Sequence, residues 1–282
     1  MFAWTELPPS LAISTAAGSL HAGAARSVRA DALAGSMIHD WSRAQEQQAR
    51  ESLLAGAQRR HASGLNSGTA GNLSLRLPGG LLITPSSLPY DQMGPEDLVA
   101  IDHDGRLLAG TRAPSSEWRL HADLLSRRPD IQAVVHCHSA HATALACHGR
   151  GIPAFHYMVV QAGGPSIRCA GYATFGSQAL SDLAVEALEG RLACLLAHHG
   201  QVAIGSSLEQ ALALAGEVEN LARIYGLALA LGEPPLLSDA EMDRVAVQME
   251  QRQYGALSAG AGQAASLSSG AAPGSQSQGR PG

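Results

Sequence analysis

Short apolar blocks of the kind strands make occupy the middle of the chain, and apolar positions at three- and four-residue spacing flank them. Over residues 38–61 the spacing predicts an amphipathic helix, stopped near Ser63-Gly64, where glycine supplies a helix end. Three β-type runs follow, at 72–77, 81–84 and 98–101. Pro78-Gly79-Gly80 separates the first two, and Asp102-His103-Asp104-Gly105 closes the third. Ser115-Ser116-Glu117 then opens a helix reaching about Arg127, because a serine cap and an acidic first turn both complement exposed backbone N–H groups. Residues 131–138 read as a buried strand and 141–147 as a helix. Apolar runs cover 154–160 and 193–204, with a helix near 178–189 between them. Strong helix formers carry a long helix over 208–231, and a last helix spans 239–251. Strands gathered between helices predict an α/β fold in which helices cover a sheet. Outside this pattern, residues 1–36 are rich in Ala, Gly and Ser and read as a flexible extension, with Met37 an alternative start. Residues 255–282 have the composition of a disordered low-complexity tail, which leaves 37–254 as one catalytic domain.

Composition narrows the function. With 282 residues and 45% hydrophobic content there is enough chain for a sizeable core, and only 4% aromatic content makes that core aliphatic. A net charge of -5 with no dense basic block excludes a nucleic-acid partner on electrostatic grounds. No apolar run reaches bilayer length, so no membrane span is expected. Cys137, Cys147, Cys169 and Cys194 form neither a CxxC pair nor a disulfide framework, and the start lacks a secretory pattern. These features predict a cytoplasmic protein with free thiols.

The chemistry concentrates at four places. His136 and His138 are alternate residues of a strand, so their rings project to one side while Cys137 faces away. Two such imidazoles can hold one divalent metal, and a third from the His198-His199 pair would leave a coordination position open, as a catalytic metal requires. Adjacent strand residues diverge, so only one of that pair is expected at the metal. The loop 64–72 contains glycines, asparagines and hydroxyls suited to an anion-binding nest. Thr84-Pro85-Ser86-Ser87 adds hydroxyls after a strand, and Ser115-Ser116 adds two more at a helix start, where backbone N–H groups attract phosphate. Together these three stretches can cradle a phosphate without lysine or arginine. Glu117 directly follows; beside a metal it can ligate or move a proton of an enolising substrate. His141, His148 and His156 read as surface or packing residues.

At these residues the chain resembles the class II aldolase/adducin family, on its sugar-phosphate aldolase branch. The matching stretches are GLNSGTAGNLSLR, LLITPSSLPYDQM, PSSEWRLH, RPDIQAVVHCHSAH, IPAFHYM, GYATFG and LLAHHG, in family order over roughly residues 38–254. The resemblance implies one α/β/α domain with a central, mainly antiparallel sheet, assembled as a homotetramer with active sites between subunits. It implies Zn2+ on His136, His138 and His199, and Glu117 as acid/base. Asn72, Ser86, Ser87, Ser115 and Ser116 would surround a substrate phosphate, with Gly71 allowing close backbone approach. Asn66 and Thr69 would line the pocket, Tyr157 would enter a neighbour's site to serve an aldehyde oxygen, and Tyr254 would close over it. The implied reaction is cleavage of a ketose 1-phosphate, L-fuculose 1-phosphate best, to dihydroxyacetone phosphate and L-lactaldehyde. A 4-epimerase of the same family carries aspartate where Glu117 stands; dehydratase and decarboxylase chemistry are further variants, and an adducin-like interaction module would dispense with the metal. Ser87 departs from the family pattern, which has glycine there.

Overall fold

A computed structural model describes residues 42–66 and 68–251; Tyr254 and the two expected terminal segments, 1–36 and 255–282, lie outside the described residues. Helix α1 (Arg43–Ala62) begins at Ser42, whose Oγ accepts the Gln45 N–H while the Gln45 side chain accepts the Ser42 N–H. That reciprocal capping satisfies two otherwise orphaned donors. The chain continues through β1 (Asn72–Leu77), β2 (Gly80–Ile83), β3 (Val99–Asp102) and β4 (Leu107–Ala109). Then come α2 (Trp118–Arg127), β5 (Ala133–Cys137), α3 (Ala140–Cys147), β6 (Arg168–Ala170) and α4 (Gln178–Ala187). It finishes with β7 (Ala193–Leu196), β8 (Gly200–Gly205), α5 (Leu208–Leu231) and α6 (Asp239–Gln251).

The strands form one eight-stranded sheet in the order β4-β3-β2-β1-β5-β8-β7-β6, antiparallel throughout except for the β6–β7 pair. Period-two alternation sorts its apolar residues into two cores. Leu73, Leu82, Val135, Cys137, Leu195 and Ala203 pack with Leu53 of α1, Leu145 of α3 and Val218 of α5. Their sequence neighbours Leu81, Ile83, Val134, Leu196, Val202 and Ile204 pack with Leu120 and Leu124 of α2 and Leu180 of α4. Each leucine taken fully out of water this way contributes roughly 1.5–3 kcal/mol. The result is the expected helix–sheet–helix sandwich.

Antiparallel pairing is what gathers the functional segments. Asn72, at the start of β1, pairs with His136 near the end of β5, and Cys137 pairs with Gln201 at the start of β8. Beyond the end of β2, Ser115 N–H donates to Thr84 O and Ser86 N–H to Ala113 O, and a bridge joins Pro85 to Pro114. Both serine segments therefore lie at the same end of the sheet as the histidines.

Three details differ from the sequence pattern. The apolar run 193–204 is a hairpin: His199 N–H donates to Leu196 O, and His198 turns the corner at φ 56. Helix α2 starts one residue later than its acidic first turn predicts, with Glu117 at the N-cap position making no side-chain cap. Its carboxylate is turned to other partners. The strands β4 and β6, three residues each, were too short to announce themselves by alternation.

Candidate active site

His136 and His138 come from the end of β5, His199 from the β7–β8 turn, and Glu117 from the start of α2. The three ring centroids stand 4.8 Å apart pairwise, at interplanar angles of 68, 74 and 75°. Nε2 of His136 is 3.0 Å from Nε2 of His138 and 3.2 Å from Glu117 Oε2, and His199 Nε2 is 3.3 Å from Glu117 Oε1. One ligand atom from each of the four side chains falls within 4.8 Å of all the others.

The proton positions follow from the partners. His136 Nδ1 lies 2.9 Å from the Gln201 carbonyl oxygen, which can only accept, so Nδ1 carries a proton and Nε2 is the nitrogen turned to the cluster. Burial, reinforced by the neighbouring rings, pushes His138 down to about 3. Burial and His136 push His199 down to about 4. Burial opposes ionisation of Glu117, but His136, His199 and the Asn72 amide outweigh it and hold the carboxyl well below the usual range. Glu117 Oε1 is buried without a hydrogen-bond partner among the described residues. Three ring nitrogens and a carboxylate thus converge within 4.8 Å of one another, an arrangement that a divalent cation satisfies.

Beside this cluster opens a cavity of ≈ 340 Å³. Of the residues expected at a phosphate, Gly71, Asn72, Ser86, Ser87, Ser115 and Ser116 all line it, as does Thr69. Ser87 holds φ 57, a left-handed corner that costs glycine nothing, and its Oγ sits 3.3 Å from that of Ser86. Asn66 stands behind the wall: its Oδ1 accepts the His138 N–H at 2.8 Å and its amide donates to Ala70 O. It pins the loop to β5. Tyr157 is 44% exposed, stacks on His156 and does not line the cavity of its own chain.

Sequence reasoning passed over several residues that the fold brings in. Tyr172, Phe175 and His198 line the cavity mouth, and aromatic side chains within a glycine-bounded GYATFG stretch were a usable signal for the first two. His121 follows Glu117 by four residues, one helical turn on the same face, a spacing that could have singled it out. Arg60 is buried beneath the site, donating to His136 O and lying 4.9 Å over the Tyr90 ring.

Gly71 shows how tightly the floor is built. Its φ is 68, and a Cβ placed there would stand 2.5 Å from both His136 O and Asn66 Nδ2. Gly71→Ala is expected to cost roughly 1–3 kcal/mol of stability and to lower metal content, by displacing the β5 end. Thermal unfolding and metal analysis read both; a variant unchanged in each would refute the close approach.

Comparison with known proteins agrees with this geometry. The class II aldolase and adducin N-terminal domain family matches residues 51–226. The chain belongs to this family. It is 54% identical over 196 residues to a 5-methylthioribulose-1-phosphate/5-deoxyribulose-1-phosphate aldolase of Rhodospirillum rubrum, covering 70% of this chain and 88% of that one. It is 50% identical over 194 residues to the L-fuculose phosphate aldolase of Escherichia coli K12, covering 68% and 88%. A solved L-fuculose 1-phosphate aldolase superposes with a TM-score of 0.70 at 38% identity, covering 72% of this chain and 96% of the other. The chain is accordingly a metal-dependent class II aldolase. Among the described residues no helix is long and apolar enough to cross a membrane.

Proposed function

We propose that this aldolase cleaves ketose 1-phosphates whose far carbon lacks a hydroxyl, releasing dihydroxyacetone phosphate and a short aldehyde. The cavity's mixed lining carries this reading: serine hydroxyls, the apolar groups Tyr172, Ala173 and Phe175, and members of the histidine–carboxylate cluster all open onto one space. L-Fuculose 1-phosphate, giving L-lactaldehyde, is one such substrate. The relatives named for 5-deoxyribulose and 5-methylthioribulose 1-phosphates extend the same class, with a methyl or thioether in place of a terminal CH2OH.

His136, His138 and His199 hold the cation, zinc by their all-imidazole set with an open position. Bound there, it supplies Lewis acidity that polarises the substrate carbonyl and steadies the charge left on breaking the C3–C4 bond. Ser86, Ser87, Ser115 and Ser116 bind the phosphate with hydroxyls and backbone N–H groups. In condensation the ionised Glu117 takes a C3 proton, the C3 pair bonds to the aldehyde carbon, and the Tyr157 hydroxyl of a neighbouring copy protonates the aldehyde oxygen, which becomes the C4 hydroxyl. Solvent carries the proton from Glu117 back to Tyr157, and cleavage runs each step in reverse. Exposure of that tyrosine outside its own cavity supports this reading and, with it, a homotetramer. Residues 37–254 form the catalytic domain, Tyr254 closes over the pocket, and the enzyme works in the cytoplasm.

A substrate panel tests the specificity. L-Fuculose 1-phosphate, 5-deoxyribulose 1-phosphate and 5-methylthioribulose 1-phosphate should each yield dihydroxyacetone phosphate. Ribulose 1-phosphate, which puts a hydroxyl against the aromatic wall, should be poorer by about 10-fold or more in kcat/KM. Equal turnover of the hydroxylated sugar would overturn the apolar-end assignment.

A further inference from the structure

From Glu117 inward, four buried side chains form a hydrogen-bonded chain linking β1 to the start of α2. Asn72 and Ser74 are alternate residues of β1 and point to one face; Glu117 and His121 are one helical turn apart. Asn72 Nδ2 lies 2.9 Å from Glu117 Oε2, Asn72 Oδ1 lies 2.5 Å from His121 Nε2, and Ser74 Oγ lies 2.7 Å from His121 Nδ1. Ser74 and His121 are wholly buried, and Asn72 and Glu117 nearly so.

The donors in this network have one consistent assignment. Asn72 Nδ2 donates to Glu117 Oε2, which leaves its carbonyl oxygen facing His121. His121 Nε2 must then be the donor. Burial pushes His121 down to about 3, so the ring is neutral and Nδ1 is bare. The Ser74 hydroxyl therefore donates to Nδ1. The consequence reaches the site: Oε2 of Glu117 is tied to Asn72, while Oε1 is left without a hydrogen-bond partner, 3.3 Å from His199.

We propose that His121, held in its Nε2–H form by Ser74, is a positioning residue that orients the Asn72 amide and so fixes which oxygen of Glu117 is presented to the reacting carbon. Were the ring to take the other tautomer, Asn72 would turn its carbonyl toward the carboxylate, and oxygen would face oxygen. The inference rests on the reading of Glu117 as the group that moves the C3 proton. His121 and Ser74 meet the imidazoles and the phosphate cradle only through Glu117 and Asn72, so the signature is a loss in the proton step out of proportion to any change in KM or zinc content.

Two near-isosteric variants of the full chain test it. His121→Gln places an amide N–H near the Nε2 position and keeps the bond to Asn72; His121→Asn reaches only the Nδ1 position and loses it. The expected result is a parallel fall of about 10–100-fold in kcat and in exchange of the dihydroxyacetone phosphate C3 proton for His121→Asn, the usual effect of removing such a supporting bond. KM and bound zinc should stay near wild type, and His121→Gln should recover most of the rate. Nitrogen-15 NMR of the metal-free protein should show His121 protonated at Nε2, shifting toward Nδ1–H in Ser74→Ala. Equal rates for the two His121 variants, a loss confined to KM or zinc content, or an Nδ1–H ring in the unaltered protein would each overturn the proposal. If His121→Asn does not fold, Ser74→Ala carries the test, and unchanged exchange with an unchanged tautomer refutes it. Glu117→Gln separates the two readings: exchange surviving in that variant removes the role of Glu117. Exchange lost there but equal in both His121 variants removes only the positioning.

Discussion

Glu117→Gln is expected to abolish exchange of the C3 proton of dihydroxyacetone phosphate with solvent while leaving zinc bound. Glutamine keeps the length and shape of the side chain and can turn its oxygen to Asn72 Nδ2, the partner that now holds Glu117 Oε2 at 2.9 Å. Its NH2 then occupies the place of Oε1, the buried oxygen without a hydrogen-bond partner. An amide there can neither take nor return a proton. Removing a positioned acid/base costs about 10²–10⁴-fold in rate, so cleavage should fall with exchange. The three imidazoles are untouched, and metal analysis should find their site filled. Exchange at the wild-type rate in this variant would reject the assigned role outright.

Stripping the metal with a chelator should eliminate cleavage of every ketose 1-phosphate in the panel, and adding zinc should restore it. The reason is local: His136, His138 and His199 bring ring nitrogens together, and among the described residues no lysine or arginine lines the cavity to take over charge stabilisation. Stability should follow, since a ligand bound only by the folded state at a thousand times its Kd adds about 4 kcal/mol. His136→Ala should behave like the stripped enzyme even with zinc in excess, because it deletes the one ring locked by a carbonyl, at Gln201. Turnover that survives complete metal removal would sink the mechanism, whatever the substrate.

Much of this site could be read along the chain because its parts are local. Alternation placed His136 and His138 on one side of a strand; in the structure β5 ends at Cys137, yet their Nε2 atoms still meet at 3.0 Å. The two serine pairs and the glycine-rich loop carried their chemistry in their composition, and all reach the cavity wall. The choice between His198 and His199 was different. Residue spacing allows one of them, and the left-handed corner at His198 decides which: His198 lies by Tyr172 at the mouth, 5.9 Å between rings, and His199 joins the cluster. Backbone conformation at a hairpin turn is a long-range outcome of strand pairing, and no pattern of apolar residues specifies it.

His121 and Ser74 mark the same boundary from another side. Each looks ordinary in its own element, a histidine on a helix and a serine on a strand 47 residues away. Only the packing of α2 against the sheet makes them partners. The sequence by itself determined the chemical inventory, the alternating and helical faces, and the family to which the chain belongs. Tertiary structure decided which of those groups share one end of the sheet, which proton each carries, and which carboxylate oxygen is left open. Side-chain type and period are properties of neighbouring residues, whereas convergence and desolvation arise only when distant segments exclude water from one another.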